Sequence, residues 1–173
     1  MPMFQLGFKC EPTGMGVDAI RQEVIGDLAA EVLFGESSGL YLQLYEEGII
    51  DSSFGGGFET VDGCALLTCS GDSEAPNVVR SRILEQVQIL LEQGIDEADF
   101  MRMKRSAMGR RIRDLDSFDS TAFRICAYHL SDFDYFEFPA VYAQVEIKEI
   151  LEFLQRVVRQ ERCALSVIEP LAE

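Results

Sequence analysis

Tryptophan is missing from this chain and histidine occurs once, at position 129. A hydrolytic zinc centre takes about three protein ligands and keeps one position for water. A single imidazole cannot make a histidine pair, so no zinc site built on two imidazoles assembles from this inventory. Basic residues are scarce too, 15 against 30 acidic ones, for a formal charge of −15. A surface of that sign repels a phosphate backbone and argues against nucleic acid as a partner. No apolar run approaches the ~18–20 residues of a membrane span, which gives no reason to expect membrane contact. The opening residues, MPMFQLGFKC, lack the basic-then-apolar order of a secretion signal, so the cytoplasm is the expected compartment. There is no G-x-x-x-x-G-K-S/T loop, and Gly55, Gly56 and Gly57 lack the helix and lysine that complete a phosphate cradle.

The five cysteines are an odd number at scattered spacings. Cys64 and Cys69 fall five apart in a strand-like run, hence on opposite faces, and cannot make an easy metal pair. Buried free thiols are the expectation, and Ser37 and Ser38, with no histidine nearby in sequence, read as helix caps. His129, among Ala127, Tyr128 and Leu130, reads as a packed helix residue. Only with that histidine as base could a thiol act as a nucleophile.

What is present suits one domain over residues 1–173, with 47% hydrophobic and 26% charged residues. The densest local instructions run from Glu31 to Phe58. Val32, Leu33 and Phe34 end a helix at Gly35, where a left-handed glycine is expected. Ser37 or Ser38 caps a short helix with Leu40, Tyr41 and Leu44 on one face, which stops at Gly48, also expected with positive φ. A glycine-rich strand follows.

Around this stretch, Met3–Cys10 reads as a first strand, and Val17, Ile20, Val24, Leu28 and Val32 as a helical stripe. Strands are expected at Ser52–Val61 and Cys64–Ser70, joined by an Asp62-Gly63 turn, with a last strand at Arg162–Glu169. Asp72 or Ser73 is the expected cap of a helix entered through Pro76, carrying Val79, Ile83, Val87, Leu90 and Leu91 and ended by Gly94. Asp96 starts the next helix, which holds Arg102, Lys104, Arg105, Arg110, Arg111 and Arg113. That cluster reads as a solvated face balancing nearby acids, or as a docking strip for an acidic partner. A further helix is expected at about Ser120–Leu130. In Ser131–Val141, aromatics alternate with acids up to Pro139, either as a binding lip or as a connection packed over its own rings. Ile147, Ile150, Leu151, Leu154 and Val158 mark a last helix. Strands separated by helical blocks, with mostly antiparallel pairing, predict an α+β two-layer sandwich with helices on one face of the sheet.

The run L-F-G-x-S-S-x-L-Y-x-x-L-Y-E-E-G-I-I-D-x-S-F at Leu33–Phe54 resembles the C-terminal-half, non-zinc domain of pitrilysin/insulinase-type zinc metallopeptidases, in their bacterial processing-peptidase-like branch. G-F-K at Gly7–Lys9 and G-I-D-E-x-D-F-x-R-x-K at Gly94–Lys104 agree with it. The resemblance implies a metallohydrolase-like fold and a catalytically silent domain that needs no cofactor. It would face a zinc-bearing domain, in the same chain or another subunit, and help wall a peptide chamber. Family members place a substrate-binding arginine and tyrosine in L-R-E-x-x-G-L-x-Y. Here the matching stretch, Leu44–Asp51, is one residue shorter, with Tyr45 in the arginine's place and Asp51 in the tyrosine's. Tyr45, Asp51, Phe54, Gly55, Gly56 and Gly57 are accordingly the candidate substrate-binding residues, the glycines by pairing an edge strand with an extended peptide. Close approach of a helix over the sheet is the other reading of the glycines. A stand-alone, non-enzymatic interaction domain is the alternative function.

Overall fold

Phe4, Leu6 and Phe8 point inward along Met3–Lys9 (β1) and Met3, Gln5 and Lys9 outward, the period-two pattern of a half-buried strand. The computed structural model describes residues 1–61 and 63–170. After β1 come helices α1 (Gly16–Phe34) and α2 (Gly39–Glu46), strands β2 (Gly55–Val61) and β3 (Cys64–Asp72), and helices α3 (Pro76–Gln93), α4 (Glu97–Asp114) and α5 (Phe118–Leu130). A 3₁₀ turn at Tyr135–Glu137 leads into α6 (Phe138–Gln144) and α7 (Ile147–Val157). A second turn at Gln160–Arg162 opens β4 (Cys163–Ile168).

The sheet order is β2-β3-β1-β4, antiparallel throughout, and α1 packs against β2 and β3. This is the expected two-layer α+β sandwich. Its strands differ from expectation at their ends. Ser52 and Ser53 sit in a turn, because Asp51 Oδ1 accepts from the Ser53 amide at 2.8 Å and its hydroxyl at 2.5 Å. β3 runs on to Asp72, paired with Met3, and Arg162 belongs to the 3₁₀ turn. Of the expected Asp62-Gly63 turn, Asp62 lies outside the described residues. Gly63 has φ of 77°, and pairing reaches Val61↔Cys64.

α1 is apolar beyond a single stripe, with Ile20, Val24, Leu28, Ala29, Leu33 and Phe34 all buried. Val17 is the stripe's exception, exposed in the first turn. Gly35 departs from expectation. Its φ is −61° and ψ 147°, ordinary extended backbone. Glycine is needed there for space, since a Cβ would lie 2.5 Å from the Glu31 carbonyl oxygen. Gly48 does take positive φ, 68°, just past α2. Ser38 caps that helix, accepting from the Tyr41 amide at 3.1 Å and donating to the Leu33 carbonyl at 3.2 Å, so one hydroxyl stitches α1 to α2. Neither expected cap starts α3. Ala75 precedes Pro76, and Ser73, fully buried, donates to the Ile49 carbonyl at 2.7 Å and accepts from the Ala75 amide.

The Ser131–Val141 segment is no lip. Phe133, Tyr135 and Phe138 are buried beneath it, Phe136 alone among its rings is exposed, and its end is helical. His129 is exposed on the last turn of α5, against the packed position expected of it. Of the thiols, Cys10 and Cys69 are buried, Cys163 half-buried, and Cys64 and Cys126 exposed.

Candidate functional site

β2 has β3 on one side, and its other side is the edge of the sheet. Extended residues at an edge present alternate N–H and C=O groups outward, available to a further strand. Beside that edge runs a cleft whose central section, about 580 Å³, lies between Gly56 and Gly57 on one wall and Ala107, Arg110, Arg113 and Asp114 of α4 on the other. Shared residues continue it in both directions. Toward the start of β2 it reaches Phe54, Gly55 and Ser106, and toward the end Phe58, Thr60 and Phe123.

One of the two readings of the glycines, close approach of a helix, holds at Gly56. A Cβ on Gly56 would lie 2.4 Å from the Phe34 ring and 2.5 Å from the Thr68 carbonyl oxygen, so this glycine admits close packing. Gly55 and Gly57 face open space, where a Cβ meets nothing within 4 Å. Of the three, Gly56 is exposed and Gly55 and Gly57 are half-buried, and none carries a side chain over the rim of the cleft.

The other candidate residues gather at the start of β2 with different degrees of access. Tyr45 is half exposed and stacks on Tyr41 at 5.7 Å, and Tyr41 in turn meets the Phe54 ring at 6.1 Å. Phe54 is only 4% exposed and also packs on Phe4 and Phe34. Its side chain therefore belongs to the core, and what it can offer a ligand is backbone. Asp51 is held by the Ser53 hydroxyl and amide, which keep its carboxyl below the usual range. An ionised carboxylate accepts hydrogen bonds and cannot donate as a phenol would.

Behind the cleft sits a group that sequence reading placed on the surface. Arg111 is 6% exposed. Its guanidinium donates to Glu23, to Asp27 Oδ2 at 3.4 Å and to the Tyr128 hydroxyl at 3.0 Å, and Tyr128 donates to Glu23. The rings of Tyr128, Phe138 and Tyr142 lie 5.7–5.9 Å from it, within cation–π range. The rest of the basic cluster is largely engaged: Arg110 with Glu31 at 2.8 Å, Arg102 with Asp99 at 2.9 Å, and Lys104 with the Val145 carbonyl at 2.8 Å. Burial pushes the Tyr128 and Tyr142 phenols up, the latter to about 12.

Burial also lifts the Asp27 carboxyl from 3.8 to about 6; Arg111 opposes the shift and neighbouring Glu23 reinforces it. The folded state holds the proton more tightly than the unfolded chain does. That contribution to stability is complete below pH 3.8 and is lost as pH rises through about 6. Thermal stability should therefore fall from about pH 4 to about pH 6, and Asp27→Asn should flatten that segment of the melting-temperature profile. A wild-type profile that rises there would contradict the assignment.

Glu23 and Asp27 are the carboxylates drawn together here, and Arg111 already occupies the place where a cation would sit. Among the described residues, no group of three or more His, Cys, Asp or Glu side chains could hold a metal ion. The residues present do not fit a zinc centre. Among the described residues, too, no helix is long and apolar enough to cross a membrane.

Residues 1–107 match the family model described as the peptidase M16 inactive domain. The chain is 24% identical, over 98% of its length, to an uncharacterized zinc protease of Bacillus subtilis, YmfH. It superposes on an M16-like peptidase from Alicyclobacillus acidocaldarius with TM-score 0.86, at 24% identity over 96% of the chain. The inactive peptidase domain of a zinc protease from Bordetella parapertussis aligns over the whole chain and 92% of its own, with TM-score 0.80 at 11% identity. The chain spans about 40% of the length of the Bacillus and Alicyclobacillus proteins.

Proposed function

The chain belongs to the peptidase M16 inactive-domain family, and from that premise we propose that it works as a single domain set against a zinc-bearing peptidase domain. In this role it helps wall a chamber and holds an extended peptide along β2. One observation carries the reading: β2 is an edge strand, free of side chains from Gly55 to Gly57 and bordered by a cleft. Main-chain pairing gives affinity with little demand on sequence, which suits a domain that presents peptides for a reaction carried out elsewhere. Tyr45 and Asp51 lie where the chain enters β2 and serve as the outer contacts, and Phe54 supports them from the core.

The surfaces a stand-alone interaction domain would have used are mostly spent. Three rings of the aromatic segment are buried, and most of the basic cluster is paired within the fold. Amide hydrogen exchange tests the proposal. An excess of an unstructured peptide should slow exchange selectively in Gly55–Val61, and a fully N-methylated version of the same peptide should have no effect. The purified chain should leave the peptide uncut and carry no stoichiometric zinc. Protection confined to other elements, or cleavage sensitive to a chelator, would defeat the reading.

A further inference from the structure

Most charges lining the cleft cancel in pairs. Arg110 faces Glu31, Arg111 faces Glu23 and Asp27, and Arg124 faces Asp114 at 2.9 Å. Arg113 is exposed, lines the same section as Gly56 and Gly57, and makes no ion pair among the described residues. Farther along β2, at Thr60, the wall changes character. There the cleft is lined by Phe58 and by Phe123, a residue 75% exposed although it lines a concave surface. Asp119 stands beside it.

We infer that the cleft reads a peptide at two points four residues apart, an acidic side chain at Arg113 and a large apolar side chain at Phe123. The inference rests on the reading that the peptide lies along β2. A strand advances about 3.3 Å per residue, so Gly56 to Thr60 spans roughly 13 Å, and side chains four apart project on the same side. A peptide paired with β2 therefore sends two such side chains into the cleft together, one toward each feature. At physiological salt, charges beyond about 8 Å are largely screened, so the cleft's own groups decide the pairing despite the chain's overall negative charge. Asp119 adds discrimination by repelling an acid from the apolar end.

The test is fluorescence polarisation with the 173-residue chain and labelled ten-residue peptides of serine and threonine. One carries glutamate at its third position and phenylalanine at its seventh, and another carries them in reverse, because β2 admits either strand direction. One of the two should bind best. Changing its glutamate to glutamine, its phenylalanine to alanine, or moving the phenylalanine by one position should each weaken binding about fivefold. Arg113→Ala should erase the preference for glutamate over glutamine, and Phe123→Ala the preference for phenylalanine over alanine. Both side chains are exposed, so neither substitution should shift the melting temperature. Peptides that protect β2 from exchange but bind alike whatever their side chains would overturn this inference alone. Absence of binding by every peptide, with no protection of β2, would overturn it together with the proposed function.

Discussion

Replacing Arg111 by alanine should cost about 3–5 kcal/mol of folding stability, the range for breaking a buried ion pair from one side. The loss is not the worth of the pair itself. It comes from Glu23 and Asp27, left facing each other without the cation that neutralises both, and from the space that opens between Tyr128, Phe138 and Tyr142. Arg111→Met with Glu23→Gln and Asp27→Asn should recover most of it, because the volume is kept and no buried charge stays unpaired. Urea denaturation of the single and triple variants gives both numbers. A single substitution that moves stability by less than about 1 kcal/mol would place Arg111 among ordinary surface pairs.

The second large effect is steric. Gly26 lies in the middle of α1 with the Phe58 ring directly on it, and a Cβ would fall 2.3 Å from the ring. Valine has a helix propensity close to that of glycine, so Gly26→Val should change little within the helix itself. Phe58 would have to leave its site, giving up about 2–3 kcal/mol of burial and about 1 kcal/mol of its edge-to-face contact with Phe153. A net loss of about 3 kcal/mol is expected. With Phe58→Ala already in place the same substitution should cost far less. Additivity of the two changes within about 0.5 kcal/mol would show that ring and glycine do not compete for this space.

These two sites show where the sequence was legible. α2 could be read almost residue by residue, since a serine cap, an apolar face and a terminal glycine are local signals that agree. The candidate strand could be read as glycine-rich, but its place at the sheet edge depends on β1 pairing with both β3 and β4, which no local pattern encodes. Gly35 misled because glycine at a helix end meets two different needs, positive φ or space, and the second depends on where the Glu31 carbonyl falls. Arg111 was lost in a run of like charges. Its signal was positional: Phe100, Met103, Ala107 and Arg111 follow at helical spacing, so the arginine continues the buried stripe of α4. Glu23 and Asp27, four apart on α1, are the matching pair. His129 lay one residue from buried Tyr128, and that single step turned it to solvent.

The sheet order also dictates when the domain can be finished. β1, the first strand in this sequence, lies between β3 and β4, and β4 ends at Ile168. Met3 therefore waits for Ile168 before its second neighbour exists. Contacts so distant in sequence make folding slow, because the chain must close a long loop before they reward it. Until then β1 offers an open flank in the middle of the sheet, apolar on one face. A nascent chain ending near residue 107, where the family match stops, would hold the glycine strand yet lack both Arg110, Arg113 and Asp114 of the cleft wall and the strand that completes β1. The last strand of the domain thus decides whether the first stays buried.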